Sequence, residues 1–190
     1  RSENIQLTGI VHEYQRFNNF GPATISMAMS YWGFTGNQED TASWLKPRQA
    51  DVNVRPSEIE YYTNTVQGHW LGAVYRVGGT TELLQTLIAA GYPVIVEKGM
   101  TVEAQGWMGH YLPLTGYDSA QQLFFGQDSY YGPDRSISFE ELDEHWQHFN
   151  RTFIVVYPKE RETDLLALLG DYANLTDSYN IAMAQSEAEL

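Results

Sequence analysis

Gly21-Pro22-Ala23 opens an apolar run, Gly21 to Gly33, in which Ile25, Met29 and Trp32 recur at i, i+4 and i+7 with Ala28 beside them. Residues at that spacing share one face of a helix, so the run predicts a buried helix. Pro22 sits early, where its missing N–H is one of the donors a first turn leaves unpaired in any case. Gly33 is a stop signal. A buried helix needs a core around it, and the composition supplies one. The chain has 190 residues, 43% hydrophobic and 18% charged, which fits one folded domain with an appendage and excludes a disordered chain.

The first half continues in helical segments. Residues 38–46 predict a short helix, with Asp40 and Thr41 near its start and Pro47 beyond its end. Pro56-Ser57-Glu58 opens another, reaching about Asn64. Leu71 to Val77 has strand character and is broken by Gly78-Gly79. Thr80 or Thr81 caps a helix that runs through Ala90 and ends at Gly91. The second half changes texture. Residues 93–98, 110–117, 122–127 and 152–157 read as strands, with a hairpin turn at Asp118-Ser119-Ala120-Gln121. Ser138 to Phe149 reads as a helix, with Glu141 at the capping-box spacing from Ser138. Helices followed by antiparallel strands give an α+β fold.

Composition shifts at Lys159. Residues 159–190 hold seven acids and two bases, and Leu165, Leu166, Leu169, Tyr172 and Leu175 keep helical spacing, weakened by Gly170 and Asn174. The expected division is a domain over 1–158 and an acidic helical tail over 159–190, which could open a helical-repeat region.

Charge narrows the partners. A net charge of −13 repels phosphates and anionic lipid headgroups, so nucleic acid is not an expected partner. No apolar run approaches the ~20 residues of a membrane span, so membrane insertion is not expected. The chain contains no cysteine, which removes disulfides and thiolate metal sites and leaves the compartment open. It begins at Arg1, compatible with export and removal of a signal. His145 and His148 with Glu141 and Glu144 have ligand-like spacing, but a solvated helix face explains them better, and no metal or cofactor is expected. Two sequons, Asn150-Arg151-Thr152 and Asn174-Leu175-Thr176, matter only in a secretory eukaryotic setting.

Three segments taken together carry a chemical reading. They are Gln15-Arg16-Phe17-Asn18-Asn19-Phe20-Gly21-Pro22-Ala23, then Gly109-His110-Tyr111 leading to Gly116-Tyr117-Asp118, then Gln127-Asp128-Ser129-Tyr130-Tyr131-Gly132. In this order they resemble the nucleophile helix, the histidine strand and the acidic segment of the bacterial C39-like, double-glycine-peptidase-like branch of the papain-like cysteine peptidases, over roughly residues 8–158. The resemblance implies a papain-like fold, with N-terminal helices packed on an antiparallel sheet. It also implies roles. Phe20 takes the nucleophile position, His110 that of the base, Asp128 that of the orienting residue and Gln15 that of the oxyanion donor. Asn19, Trp107 and Tyr111 become cleft candidates.

Such a site needs a thiol at a helix N-terminus, where the dipole favours the thiolate, beside an imidazole that takes its proton. A phenyl ring has no lone pair for that attack. The expected function is therefore a catalytically inactive domain that binds a peptide or protein segment in the former cleft. Two rivals stay open. One is an active peptidase or amidase using another nucleophile, for which Thr24 and Ser26 are the nearest hydroxyls. The other is a structural module whose cleft is filled by its own side chains. Ligand, compartment and oligomeric state are not encoded in these motifs.

Overall fold

The computed structural model describes residues 3–48 and 53–189. In chain order the elements are β1 (Asn4–Gln6), α1 (Phe20–Ser30), α2 (Gln38–Leu45), α3 (Pro56–Val66), β2 (Leu71–Arg76), α4 (Thr81–Ala89) and β3 (Val94–Val102). There follow β4 (Gly106–Asp118), β5 (Leu123–Asp128), β6 (Gly132–Ser138), α5 (Phe139–Trp146), β7 (Phe153–Pro158), α6 (Glu162–Leu169) and α7 (Leu175–Ala188). The fold is α+β, as the alternation of textures predicts.

One antiparallel seven-stranded sheet runs β2-β7-β3-β4-β5-β6, with β1 added to β4. β4 is the long central strand. Its first part pairs with β3 from Val102↔Gly106 to Val94↔Leu114. Its last residues, Gly116 to Asp118, pair with β5 on one side and with β1 on the side β3 has left.

Side-chain alternation along the strands divides the core in two. Val94, Val96, Leu112, Leu114, Phe153 and Val155 face α4, α5 and α6, through Leu84, Leu87, Ile88, Leu142, Trp146, Leu165 and Leu169. Ile95, Tyr111, Ile154 and Val156 belong to the opposite cluster, with Ile25, Ala28 and Met29 of α1 and Ile59 and Tyr62 of α3. Every α1 residue from Gly21 to Met29 is buried, so this helix is enclosed by its neighbours rather than half exposed.

Local chemistry sets most boundaries. Pro56 occupies the first turn of α3, and the Thr80 hydroxyl accepts from the Leu83 amide at 3.1 Å to start α4. The Ser138 hydroxyl accepts from the Glu141 amide at 3.0 Å to start α5. Two expectations need correction. The 93–98 and 110–117 strands extend toward one another as a long hairpin, adding residues 99–102 and 106–109 to the sheet. The helix expected to reach Phe149 gives way to a 3-10 turn at Gln147–Phe149. A strand that the turn-like Gly132-Pro133-Asp134 hides, β6, forms the sheet edge, where Pro133 breaks no inner ladder. In the tail, Gly170, at φ +55°, ends α6, and a 3-10 turn leads to α7, which Asn174 caps; these are the two residues that weaken the helical spacing.

The tail packs on the sheet. Leu165 and Leu169 are buried in the first core cluster. Arg76, almost wholly buried, donates from Nε to the Tyr172 carbonyl and from Nη2 to the Ala173 carbonyl, each at 2.7 Å. Among the described residues no helix is long and apolar enough to cross a membrane.

Candidate active site

α1 begins at Phe20, directly against β4. The Phe20 ring centroid lies 6.3 Å from that of His110 and 6.1 Å from that of Tyr111. His110 is 1% exposed and Asp128 5%, so both side chains are shielded from bulk water.

Asp128 reaches His110 because of how β5 ends. The β5–β6 register shifts between Gly126 and Asp128, and a bulge of this kind re-aims the side chain that follows it. The Asp128 Oδ1 then accepts from His110 Nε2 at 3.1 Å and from the amides of Tyr130 at 2.7 Å and Tyr131 at 2.9 Å. Burial pushes the Asp128 carboxyl up, but the His110 hydrogen bond and charge together with the two amides outweigh it and hold the group below its ordinary range. An ionised carboxylate only accepts, so His110 Nε2 carries the proton. In the neutral ring the lone pair is then on Nδ1.

Gln15 is held beside this pair. Its amide donates to the Ser129 carbonyl at 2.8 Å, and the Ser129 hydroxyl donates to its Oε1 at 2.9 Å. The Gln15 side-chain oxygen is thereby engaged, which leaves its NH₂ as the group able to donate. The segment carrying Gln15 is clamped from α2. The Gln38 side chain accepts from the Arg16 amide at 2.7 Å and donates to the Tyr14 carbonyl at 2.8 Å, while Glu13 accepts from the Gln38 amide at 2.8 Å. His12 adds a hydrogen bond from Nε2 to the Asp128 carbonyl at 2.8 Å.

The structure thus brings Gln15, Phe20, His110, Tyr111 and Asp128 into one corner, with Asn19 at the head of α1. Trp107 stands apart. It is 56% exposed, stacked on Phe149 with centroids 5.7 Å apart and meeting His148 edge-on at the β3–β4 hairpin end. The supporting residues Ser129, Gln38, Glu13 and His12 are not marked by any motif. Only the position of Ser129, directly after Asp128, hints at its part.

Two further ionisable groups flank the corner. Glu97 lies opposite Tyr111 in the β3–β4 register, and burial lifts its carboxyl to about 7, the Tyr111 hydroxyl pulling the other way. Tyr111 is driven well above its ordinary range by burial and then by the Glu97 and Glu58 charges. Its hydroxyl donates to the Val54 carbonyl at 2.7 Å. Lys98 lies opposite His110, and burial lowers its ammonium against the opposing pull of Asp128 and Glu141.

The hydroxyls nearest the head of α1 are committed. Thr24 is fully buried, its Oγ1 3.5 Å from the Tyr111 carbonyl, and Ser26 donates to the Glu13 carboxylate. The corner holds an oriented imidazole and the Gln15 side-chain amide, with the Phe20 phenyl ring at the head of α1.

The same architecture occurs in solved structures. A protein assigned as a C39-like peptidase in Bacillus anthracis superposes with a TM-score of 0.63 at 16% identity, over 82% of this chain and 98% of the other. A double glycine motif protease from an AMS/PCAT transporter, solved with its leader peptide, gives 0.60 at 15% identity, over 81% and 94%. The peptidase domain of Streptococcus ComA, a bi-functional ABC transporter of a quorum-sensing pathway, gives 0.60 at 13% identity, over 80% and 100%. At these identities the likeness establishes the fold. No curated protein matches the chain. A sequence model of the Peptidase_C39 like family matches residues 8–154, and with that span of agreement the chain belongs to the Peptidase_C39 like family.

Proposed function

We propose that this domain is a catalytically inactive C39-like peptidase that binds an extended peptide or protein segment where α1 meets β4. The observation that carries the reading is Phe20 at the head of α1, packed against His110 and Tyr111 while the His110–Asp128 hydrogen bond persists. Acyl transfer from a peptide needs an attacking lone pair at that point, and the phenyl ring supplies only bulk there. Position and activity separate: His110, Asp128 and Gln15 occupy the base, orienting and oxyanion positions without a reaction to serve. Thr24 and Ser26 are poor substitutes, because both hydroxyls are buried and engaged. The relative solved with a leader peptide supports a peptide as the class of ligand.

Restoring the missing atom tests the reading. Phe20→Cys should label with a thiol-directed inhibitor at least about tenfold faster than Glu144→Cys, a control on the exposed side of α5 beyond its first turn, because a helix N-terminus and an adjacent imidazole lower a thiol pKa. His110→Ala should remove most of that advantage. The unaltered protein should hydrolyse no peptide above background, while unstructured peptides should perturb the His110 ring resonances. Hydrolysis by the unaltered chain that depends on His110 would overturn the inactive reading. Labelling no faster than the control would point to a scaffold role.

A further inference from the structure

A cavity of about 290 Å³ opens between the sheet and the first turn of α5. Leu112 and Ile137, both members of the core cluster beneath α4 and α5, form its apolar wall. Gln15, Asn19 and Phe20 do not line it, so it is distinct from the corner at the head of α1. Four charged side chains complete the lining: Lys98 of β3, Asp128 of β5, Arg135 of β6 and Glu141 of α5. Gly126 helps to leave the space. It stands opposite Arg135 in the register, and a Cβ there would meet the Leu112 side chain at 3.0 Å.

These four charges are gathered but not paired. Every hydrogen bond to the Asp128 carboxylate falls on Oδ1, from His110, Tyr130 and Tyr131. Among the described residues nothing donates to Oδ2, although Asp128 is almost wholly buried. A carboxylate oxygen shielded from water without a donor costs free energy until a donor arrives. The Lys98 ammonium donates once, to the Gly99 carbonyl at 3.3 Å. Among the described residues Lys98 forms no ion pair, and the side chains of Arg135 and Glu141 have neither a hydrogen-bond nor an ion-pair partner. The Asp128 and Glu141 charges still act on Lys98, opposing the effect of burial on its ammonium. Charges close enough to act on one another yet not joined leave room for a ligand between them.

We propose that this cavity binds a free α-amino acid as its zwitterion. The ligand ammonium donates to Asp128 Oδ2 and Glu141, its carboxylate accepts from Lys98 and Arg135, and a short aliphatic side chain lies against Leu112 and Ile137. Two cations balanced by two carboxylates select this ligand. A simple anion or cation meets two like charges, and an uncharged molecule leaves all four unmatched. The volume is at the small end of ligand pockets, which begin at about 300 Å³. The site goes beyond the peptide-binding reading and does not depend on it. Because Oδ1 of the same carboxylate holds His110, an ammonium on Oδ2 is felt at the imidazole.

Isothermal titration calorimetry with single L-α-amino acids tests the site, each taken to about 10 mM, enough to fill most of a site with a Kd of ~1 mM. Leucine, valine or methionine should bind most tightly. Its N-acetyl and amide derivatives, each lacking one charge, should bind at least about tenfold more weakly. The bound amino acid should also shift the His110 ring resonances. Arg135→Gln and Glu141→Gln should each weaken binding at least about fivefold. Lys159→Gln with Glu160→Gln removes one charge of each sign at exposed positions elsewhere and should alter binding less than about twofold. Circular dichroism of each variant checks that it is folded. The site is refuted if no amino acid binds, or if either derivative binds as well as the free amino acid. It is refuted equally if the Arg135 and Glu141 variants bind like the unaltered protein, or if binding leaves the His110 ring unmoved.

Discussion

At the scale of single residues, the corner keeps an ordered hydrogen-bond network beside a side chain that offers no nucleophile. Phe20 fills the space at the head of α1, while Asp128 still gathers His110 and two backbone amides on one oxygen. Glu97 offers a separate test of how closed this region is. Its carboxyl sits at about 7 in the folded chain because burial disfavours the charge. A group that binds its proton more tightly when folded favours the folded state at low pH. Stability from this residue is therefore lost as pH rises from about 4.5 to about 7, on the order of 3 kcal/mol at ~1.4 kcal/mol per unit. Glu97→Gln carries no charge and should escape that loss. Thermal melts should show little difference between variant and unaltered protein near pH 5, and a clear gain for the variant near pH 8. A difference that stays flat across that range would mean the Glu97 charge is well solvated.

At the scale of elements, one buried cation anchors the turn that leads into α7. Arg76, at the end of β2, donates to the carbonyls of Tyr172 and Ala173 in the turn between α6 and α7 and to that of Tyr75, and lies 3.6 Å from Glu60. Burial lowers the guanidinium pKa and raises that of Glu60, and the attraction between the two charges opposes both shifts. Arg76→Met removes the partner of a partly buried carboxylate and of three carbonyls, a change that costs about 3 kcal/mol. It should also loosen α7 first, seen as faster amide exchange in 175–188 than in α1. Equal exchange in both helices would mean the clasp is not local. Arg76→Lys should rescue little, because one ammonium does not span two carbonyls as a guanidinium fork does.

At the scale of the whole molecule, the family match stops at residue 154, yet the core does not. Leu165 and Leu169 complete the cluster over Leu84, Leu87 and Trp146, and Tyr172 donates to the Gly78 carbonyl at 2.9 Å. We propose that residues 159–189 are a structural part of the domain. A chain ending at Pro158 would expose that cluster, so its melting temperature should fall by at least about 10 °C, with greater binding of a hydrophobic dye. A truncated chain that melts like the full one would instead make the tail a separable appendage.

Local rules made much of this protein legible in its sequence. Pro22, Pro56, Thr80 and Ser138 start helices because first-turn donors need an acceptor or none at all, and that chemistry lies within four residues. The order of the Gln15, His110 and Asp128 segments, with a phenylalanine at position 20 and no cysteine anywhere, was equally plain. Contacts made at long range were not. β6 looks like a loop until the sheet edge gives Pro133 a place that needs no N–H. The bulge that turns Asp128 toward His110 exists only in the register with β6. Gln38 became a clamp only when α2 packed against the residues before α1. Helix starts are decided by neighbours along the chain, whereas a site or a groove is decided by which distant segments the shared core brings together.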